Sequence, residues 1–241
     1  MQAIILAGGK GERLRPYTND RPKCMVEILG IPILGYQMQW LRANNVRDVY
    51  ISCGYLHEVI EDYFGDGGRW GLNIRYVIED EPLGRGGGIK KAMQALEDDQ
   101  GPVIAANGDI ITTADLSAMV AQHNQKDALA TILLTPFFSQ YGIVEVDDDD
   151  HVLGFREKPE LPYWINAGVY VLSREIEAML PDKGDHEDTT FPRLAEMRRF
   201  ISYRSRAFWR GVDTVKDLSE MTKEMERRLF VSLADSVQNG K

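Results

Sequence analysis

Short apolar runs alternate with longer amphipathic segments along the first half of the chain. The apolar runs predict strands at Ala3–Leu6, Val49–Cys53, Ile74–Ile78, Val103–Ala106 and Ala130–Leu134. The helical periodicity between them predicts helices at Pro32–Ala43, His57–Phe64, Gly88–Leu96 and Ala114–His123. This alternation is typical of an α/β fold in which a mostly parallel sheet carries helices on both faces.

The pattern changes after residue 140. Two short runs, Tyr141–Val146 and His151–Phe155, flank the acidic turn Asp147–Asp150 and predict a hairpin, with the four aspartates exposed to solvent. A further strand is predicted at Ile165–Val171. Thr214-Val-Lys-Asp217 has the form of a capping box and predicts the start of the last helix, which we expect to fray beyond about Ser232.

A glycine-rich turn follows the first predicted strand directly and is joined to two cations. Gly8, Gly9 and Gly11 let the backbone bring its N–H groups against phosphate oxygens. Arg13 and Lys23 supply the positive charge that amides lack. The spacing fits neither a dinucleotide-binding fingerprint, which needs a third small residue, nor a P-loop, which needs Gly-Lys-Ser/Thr. The segment therefore predicts a site for a nucleoside triphosphate.

Three polar segments lie at the ends of predicted strands. The Gly8 loop, the Gly84–Gly88 loop and Asp109 each come just after a strand. Ligands of such sheets bind beyond the carboxyl ends of the strands. We therefore expect these segments to converge on one site.

Composition excludes several classes of function. The chain of 241 residues, 44% of them hydrophobic, is long enough for one large α/β domain. A net charge of −9 argues against nucleic acid or an anionic membrane as the main partner. No apolar run reaches the roughly 18 residues of a membrane span, so we expect a cytoplasmic, soluble protein. Cys24 and Cys53 lack disulfide or zinc spacing, and the four histidines lack metal-ligand spacing.

Several motifs, in order along the chain, resemble a known family. They are Gly-Gly-Lys-Gly-Glu-Arg-Leu-Arg-Pro at residues 8–16, Pro22-Lys23-Cys24, Asn107-Gly108-Asp109, Tyr141-Gly142, Glu157-Lys158-Pro159 and Asn166-Ala167-Gly168. Together they resemble the signature of the sugar-1-phosphate nucleotidyltransferases, with Cys24 where the family usually has a second proline. The resemblance implies a Rossmann-like three-layer sandwich of the nucleotide-diphospho-sugar transferase type. It also implies transfer of a nucleotidyl group to a sugar 1-phosphate, with release of pyrophosphate.

The resemblance also divides the chain. It implies a single nucleotidyltransferase domain over residues 1–241, with a nucleotide-binding half at 1–135, a sugar-binding lobe at 136–213 and a C-terminal helix and tail at 214–241. The nucleotide-binding residues that it implies are Leu6, Ala7, Gly8, Gly9, Gly11, Arg13, Lys23, Glu81, Gly84 and Asn107. The expected catalytic residues are Arg13, Lys23 and Asp109. They would act by positioning the phosphates and neutralising their charge, because nucleotidyl transfer needs no nucleophilic side chain.

Mg²⁺ is the expected cofactor. The resemblance makes Asp109 a metal ligand, and the family usually has a second aspartate two residues after a tryptophan. This chain has Gly211 at that position, so we take Asp213 as the second ligand, as in the similar Trp-x-x-x-Asp-Thr arrangement of glucose-1-phosphate cytidylyltransferases. Alternation along a strand from Trp209 would point residues 209, 211 and 213 to one face. The alternative is that Asp213 only favours the start of the last helix through the helix dipole.

The sugar side of the site rests on the second lobe. The resemblance places Lys158 against the sugar phosphate and Glu157 against sugar hydroxyls. Asn166 and Gly142 would complete the pocket, Gly142 because a side chain there would obstruct the sugar ring. Without the resemblance, Glu157 and Lys158 would be an ordinary exposed charge pair.

The base is the least determined feature. A carboxylate at Glu81 could accept from both N1–H and the 2-amino group of guanine, which favours GTP, as does the likeness of residues 107–111 and 165–168 to mannose- and heptose-1-phosphate guanylyltransferases. Asp213 and the Pro-Lys-Cys-Met-Val-Glu segment favour the cytidylyltransferase branch instead. CTP, UTP and dTTP therefore stay open as alternatives.

Two competing functions and the oligomeric state also stay open. A chain with this fold could be a catalytically silent, nucleotide-sugar-binding regulatory subunit. Gly211 leaves this interpretation open, because the family usually has an aspartate at that position. Transfer to an alcohol phosphate is a further alternative, but it would leave Glu157 and Asn166 without a polyol to bind. The residues are compatible with a homodimer and do not specify one.

Overall fold

The computed structural model describes residues 1–97 and 101–239, with side chains described to residue 229. Its strands are β1 Gln2–Leu6, β2 Glu27–Ile28, β3 Ile31–Pro32, β4 Asp48–Cys53, β5 Asn73–Ile78, β6 Val103–Asn107, β7 Ile110–Thr112, β8 Ala130–Phe138, β9 Ile143–Val146, β10 Val152–Arg156, β11 Glu160–Leu172, β12 Phe200–Arg204 and β13 Trp209–Gly211. Its α-helices are α1 Ile33–Ala43, α2 His57–Phe64, α3 Gly84–Gln94, α4 Leu116–Gln125, α5 His186–Glu196 and α6 Val215–Asn239. No helix among these residues is long and apolar enough to cross a membrane.

Seven strands form one mixed sheet in the order β12-β8-β11-β6-β1-β4-β5. Strands β6, β1, β4 and β5 pair in parallel, and β12 pairs in parallel with β8. Strand β11 runs antiparallel to both β6 and β8. The predicted mostly parallel mixed sheet is therefore confirmed. Three small antiparallel pairs, β2–β3, β7–β13 and β9–β10, stand apart from it.

Alternation along β1, an inner strand of the sheet, produces two cores, one on each face of the sheet. Ala3 and Ile5 of β1 pack into a cluster with side chains of α1, α2 and α4. Ile4, between them, packs into a second cluster with side chains of α3 and α5. Because successive strand residues point to opposite faces, the apolar residues Ala3–Leu6 of β1 need a helical layer on each side of the sheet. The three-layer sandwich follows from this pattern.

The predicted elements agree with the observed ones in place and type, but β8 continues to Phe138, β11 begins already at Glu160, and further elements differ. The predicted helix Gly88–Leu96 is α3, which begins four residues earlier, so the prediction of a loop at Gly84–Gly88 was wrong. Glycine is a poor helix former, but here it allows a close approach: a Cβ at Gly87 would lie 2.5 Å from the carbonyl oxygen of Asp182. The C-terminal helix α6 continues to Asn239, so the expected fraying beyond Ser232 was also wrong. Helix α5 and the strands β2, β3, β7 and β12 had not been predicted at all.

The predicted capping box and acidic turn are confirmed. The carboxylate of Asp217 accepts hydrogen bonds from the backbone N–H of Thr214 at 2.8 Å and of Asp213 at 3.2 Å, while Asp217 N–H donates to the Thr214 hydroxyl. In the turn, the Asp147 carboxylate accepts from the backbone N–H of Asp149 and of His151. The four aspartates form no cluster of metal ligands among the described residues.

The second lobe grows out of the same sheet as the first. Strand β8 runs through the division predicted at residues 135 and 136, and β11 and β12 are neighbours of β8 in the sheet. The hairpin β9–β10 extends beyond the sheet. Its cross-strand pairs Val146–Val152 and Val144–Phe155 give it one apolar, exposed face, while Glu145 and Arg156 form an ion pair across the hairpin.

We expect the free energy of unfolding to decrease as the pH falls from about 6.5 to about 4, in part because of His186 in α5. The imidazole is buried against the rings of Tyr170 and Phe191. Burial, followed by the nearby Arg85 cation, lowers its pKa to about 4, with Asp185 acting in the opposite direction. The unfolded chain therefore binds a proton at a higher pH than the folded chain does, and stability decreases as the pH falls through this range.

The variant His186→Phe should remove this contribution, which is on the order of 3 kcal/mol. Urea unfolding at pH 7, 5.5 and 4.5 checks it, with the wild type measured in parallel. A smaller pH dependence should persist in the variant because burial also lowers the pKa of His123. An unchanged slope in His186→Phe would contradict the assignment.

Candidate active site

A cavity of about 610 Å³ opens at the carboxyl ends of the central parallel strands. Nine of its lining residues were predicted from the sequence: Leu6, Ala7, Gly8, Gly9, Lys23, Glu81, Gly84, Asn107 and Asp109. The lining also includes Lys10, Cys24, Gly54, Tyr55, Glu79, Asp80, Pro82, Arg85 and Asp185, which had not been assigned to the site. The segments following β1, β5 and β6 thus converge at one edge, as the sheet topology predicted.

The glycine turn is shaped to receive Lys23. Gly11 has φ +66°, and a Cβ there would lie 2.9 Å from the Cβ of Lys23, so a larger residue would be both strained and obstructed. The backbone N–H of Lys23 donates to the carbonyl of Gly9. A Cβ at Gly9 would meet no atom within 4 Å, because this part of the turn faces open space. The turn therefore packs on one side against the cation and leaves the other side free for a ligand.

Lys23 joins the two aspartates that were predicted as metal ligands. Its Nζ donates to Asp109 Oδ2 and to Asp213 Oδ1, both at 2.6 Å. Asp213 Oδ1 also accepts from Arg13 Nη2 at 3.0 Å. Two carboxylates and two cations thus meet at one side of the cavity, and the side chain of Lys23 is only 11% exposed. Since both carboxylates contact one ammonium group, they are close enough to share a single cation.

The pairing of β7 with β13 explains why Asp109 and Asp213 meet. Asp109 immediately precedes β7, in which Ile110 is paired with Gly211, and the N–H of Val212 donates to the carbonyl of Asp109 at 3.0 Å. A Cβ at Gly211 would lie 3.8 Å from the Trp209 ring and 4.0 Å from Asp213 Oδ2. Residues 209, 211 and 213 therefore share a face, as predicted. The contacts of the Asp213 carboxylate are with cations, whereas Thr214 and Asp217 cap the last helix.

The charges of the cluster stabilise one another. Burial acts to lower the pKa of Lys23, but Asp109 and Asp213 outweigh it, so the pKa lies above the usual value. Burial likewise acts to raise the pKa of Asp213, and Lys23 and Arg13 reverse this effect. Lys23 is therefore charged and Asp213 ionised at neutral pH.

The residues fit a magnesium ion that also binds substrate. No group of three or more potential ligands among His, Cys, Asp and Glu occurs in residues 1–97 and 101–239. Mg²⁺ is commonly held by one or two carboxylates together with substrate phosphates and water. Asp109 and Asp213 provide that number of carboxylates, and Lys23 shows that the space between them accepts a positive charge.

Glu79 and Glu81 both line the cavity, and they differ in what holds their carboxylates. Glu79 Oε1 accepts from the Ser52 hydroxyl at 2.7 Å, and Oε2 accepts from the backbone N–H of Leu83 at 3.1 Å. A Cβ at Gly8 would lie 3.8 Å from Oε1, so the carboxylate faces the glycine turn. Glu81 has a side chain that is 65% exposed and pairs with Lys183. The sequence signal for Glu79 was its position directly after β5, at the binding edge of the sheet.

The predicted sugar-side residues lie outside the lining of the cavity, as do Gly11, Arg13 and Asp213. Gly142 and Glu157 lie together: a Cβ at Gly142 would be 3.1 Å from Glu157 Oε2 and 2.5 Å from the Phe155 ring. The absence of a side chain at Gly142 thus admits Phe155 and brings Glu157 close. Lys158, exposed and with φ +45°, follows directly.

Gly168 links the sugar-side motif to the nucleotide side. It has φ +69°, and a Cβ there would lie 2.7 Å from Nδ2 of Asn107, so only glycine allows β11 to approach β6 this closely. The backbone N–H of Gly168 donates to the side-chain carbonyl of Asn166 at 2.8 Å. Asn107 and Asn166, predicted for nucleotide and sugar respectively, are therefore held on either side of one glycine.

Comparisons with known proteins agree with this arrangement. The sequence matches the nucleotidyl transferase family over residues 2–228. It is 34% identical to mannose-1-phosphate guanylyltransferase of Mycobacterium tuberculosis, over 97% of this chain and 67% of that protein. It is 35% identical to D-glycero-alpha-D-manno-heptose 1-phosphate guanylyltransferase of Aneurinibacillus thermoaerophilus, over 94% of this chain and 99% of that protein.

Two further comparisons bear on the base and on the fold. The chain is 33% identical to UTP–glucose-1-phosphate uridylyltransferase of a Synechocystis species, over 81% of this chain and 55% of that protein. The solved structure of HddC from Yersinia pseudotuberculosis complexed with GMP-PN superimposes with a TM-score of 0.74 at 28% identity. The superposition covers 93% of this chain and 99% of HddC.

Proposed function

The chain belongs to the nucleotidyl transferase family, and we propose that it transfers a guanylyl group from GTP to a sugar 1-phosphate, giving a GDP-sugar and pyrophosphate. The observation that carries the proposal is the contact of Lys23 with both Asp109 and Asp213 at the side of a cavity bounded by a glycine turn. A regulatory subunit without activity would have no need to keep two cations and two carboxylates converging at this place.

The reaction makes one bond and breaks one bond. An oxygen of the sugar phosphate attacks the α-phosphorus of GTP, and the bond from that phosphorus to the β-phosphate oxygen breaks as pyrophosphate leaves. Lys23 and Arg13 bind the phosphates and stabilise the charge that builds up on the leaving group. The glycine turn contributes backbone N–H groups, and its open side lets the phosphates approach closely. The protein thus contributes by positioning the two substrates and by neutralising the charge of their phosphates.

Asp109 and Asp213 would hold Mg²⁺. When bound, the ion supplies positive charge to the phosphate oxygens of GTP. Lys23 would then give up part of its contact with the carboxylates and turn to the phosphates. Exchange of partners within a compact cluster keeps each buried charge compensated, which lowers the cost of binding a highly charged ligand.

The sugar 1-phosphate is assigned to the second lobe. Glu157, beside Gly142, offers a carboxylate to sugar hydroxyls, and Lys158 offers its ammonium group to the phosphate. Asn166 retains one N–H and one lone pair beyond its contacts with Tyr170 and Gly168. The named relatives act on mannose 1-phosphate and on a heptose 1-phosphate, so we propose a manno-configured sugar 1-phosphate as the substrate class.

Turnover with a defined panel of substrates tests the proposal directly. Pyrophosphate release is measured with GTP, ATP, CTP, UTP and dTTP against mannose, glucose and heptose 1-phosphates, with and without Mg²⁺. We expect GTP with a mannose-type sugar to be used best, and only with Mg²⁺. Release with no pair at all would favour the silent subunit. A preference for UTP or CTP would overturn the choice of base and keep the reaction class.

Glu79→Gln is expected to reduce the preference for GTP over UTP by at least about tenfold. A carboxylate can accept from both N1–H and the 2-amino group of guanine, whereas an amide presents a donor to one of them. The measurement is the ratio of kcat/KM for GTP to that for UTP. Glu81→Gln is the matched control, and we expect it to leave the ratio within about twofold because Glu81 is exposed and paired with Lys183. A change in Glu81→Gln alone would return the role to Glu81.

A further inference from the structure

Arg85 lines the cavity from the first turn of α3. Its Nη2 donates to Asp185 Oδ2 at 2.7 Å, and its backbone N–H donates to Asp185 Oδ1 at 2.9 Å. Its Nη1 lies 2.9 Å from Glu187 Oε1. A Cβ at Gly84 would lie 2.8 Å from the backbone of Gly184, so the start of α3 packs closely against the segment before α5. These contacts hold the Arg85 guanidinium at one wall of the cavity.

The contacts with Asp185 and Glu187 leave part of this guanidinium for a ligand. The group has five N–H donors in one plane, and its two terminal nitrogens each contact one carboxylate. Within residues 1–97 and 101–229, Nε–H and the second N–H of each terminal nitrogen have no protein acceptor. Asp185 also lines the cavity, and its hydrogen bond with Arg85 lowers its pKa, so it is ionised at neutral pH. Its negative charge disfavours a phosphate at this wall but does not repel an uncharged acceptor.

The carboxylate proposed for the base lies beside the same turn of α3. Glu79 Oε2 accepts from the backbone N–H of Leu83 at 3.1 Å, and Leu83 is two residues before Arg85. A Cβ at Gly88, three residues after Arg85, would lie 3.0 Å from Glu79 Oε1. The acceptor Glu79 and the donor Arg85 therefore line neighbouring parts of one cavity.

Guanine presents donors and acceptors on adjacent edges of one plane. Its N1–H and 2-amino group donate, its O6 and N7 accept, and O6 lies between N1 and N7 around the ring. An arginine that donates to O6 and N7 together is the commonest specific contact of proteins with guanine in DNA. A base that directs N1–H and its 2-amino group to Glu79 therefore needs donors beside that carboxylate. Arg85 lies beside Glu79 and has donors free.

We propose that Arg85 is a specificity-determining residue that donates hydrogen bonds to O6 and N7 of guanine, and that Asp185 orients its guanidinium. The inference rests on the proposed function, since it takes GTP as the nucleotide and Glu79 as the contact for N1–H and the 2-amino group. Adenine has an amino group in place of O6, and pyrimidines have no N7. A donor pair at Arg85 therefore discriminates against ATP as well as against UTP and CTP.

The analogue 7-deaza-GTP, in which a C–H group replaces N7, tests the proposal. The kcat/KM values of GTP and of 7-deaza-GTP are compared with mannose 1-phosphate as the second substrate. We expect the wild type to use 7-deaza-GTP about 3- to 10-fold less well, the effect of one lost hydrogen bond. In Arg85→Met, kcat/KM for GTP should fall, and the two nucleotides should differ by less than about twofold, because the partner of N7 is gone.

Arg85→Lys is the second variant, and melting temperatures are recorded for both. It keeps a cation for Asp185 and therefore the fold, should Arg85→Met prove unstable. We expect the same loss of discrimination against 7-deaza-GTP, because the single ammonium group pairs with Asp185 and no longer presents a planar pair of donors to the base.

Arg206→Met is the matched control. Arg206 also pairs with a carboxylate, through contacts of 2.8 and 2.6 Å with Glu160, but it lies outside the lining of the cavity. This variant should keep the wild-type preference for GTP over 7-deaza-GTP. Equal use of the two nucleotides by the wild type, or a difference that persists in both Arg85 variants, overturns the inference and leaves the proposed function standing. A wild type that prefers UTP or CTP, or that turns over no substrate pair, overturns the proposed function and this inference with it.

Discussion

Asp109→Asn is expected to lower kcat by roughly 100- to 1000-fold, the range found when one preorganised charge-stabilising group is removed from an active site. The substitution is nearly isosteric and keeps the backbone pairing of Asp109 with Val212. It removes one of the two carboxylates on Lys23 and the better placed of the two proposed magnesium ligands, which lines the cavity itself. Steady-state kinetics over a range of Mg²⁺ concentrations measure the loss.

The control for this variant is Asp148→Asn, which makes the same chemical change in the exposed acidic turn and should leave kcat unchanged. A second measurement distinguishes the effect of the lost charge on catalysis from an effect on the stability of the fold. The melting temperature of Asp109→Asn should stay within a few degrees of the wild type, because the carboxylate is at the edge of the cavity and outside the apolar cores. Near wild-type kcat in Asp109→Asn would remove this residue from the catalytic machinery.

The location of the site could be predicted from the sequence because it depends on topology. In a parallel sheet every β-strand that ends in a polar loop delivers it to the same edge, so Gly8 after β1 and Asp109 after β6 had to meet. The proximity of Asp109 and Asp213 could also be predicted, because alternation along the strand from Trp209 places residues 209, 211 and 213 on one face. What the sequence alone does not contain is the pairing of β13 with β7, which sets the two carboxylates on one ammonium group.

The contribution of Asp185, which lines the cavity directly before α5, could not be predicted. That helix contains Pro192 and two adjacent threonines, which are poor helix formers, and it is stabilised by burying Phe191 and Leu194 against the sheet. Tertiary packing therefore overrides local preference. Asp185 and Glu187 contact Arg85, which lies about a hundred residues earlier in the chain. A contact at such a sequence separation cannot be predicted from a local sequence pattern.

The sequence does not distinguish Glu79 from Glu81 for a related reason. Both carboxylates follow β5 within three residues, and their residue types are identical, so the sequence offers only their spacing from the glycines. The structure separates them by their hydrogen bonds: Glu79 is fixed by Ser52 and Leu83, whereas Glu81 reaches out to Lys183. Ser52 lies on the neighbouring strand β4, so the distinction arises from strand pairing.

Gly211, where the family resemblance leads us to expect an aspartate, is the basis of the second large effect. Asp213→Ala is expected to lower kcat by roughly 10- to 100-fold, and adding Gly211→Asp to that variant is expected to restore a substantial part of the loss. A Cβ at Gly211 would be in ordinary van der Waals contact, 4.0 Å from Asp213 Oδ2, so a carboxylate attached there would reach the space that the Asp213 side chain leaves. Gly211 is not among the residues with positive φ, so aspartate fits its backbone.

Two measurements decide this. Steady-state kinetics compare Asp213→Ala with the double variant, and the Mg²⁺ dependence of GTP binding reports on the site independently of turnover. In Asp213→Ala, Arg13 and Lys23 both lose a carboxylate partner, so GTP should still bind while the added benefit of Mg²⁺ falls. Recovery of that benefit in the double variant would assign the ion to this pair of positions. Full activity in Asp213→Ala would mean that the site uses one protein carboxylate, and that Asp213 serves only as a partner for Arg13 and Lys23.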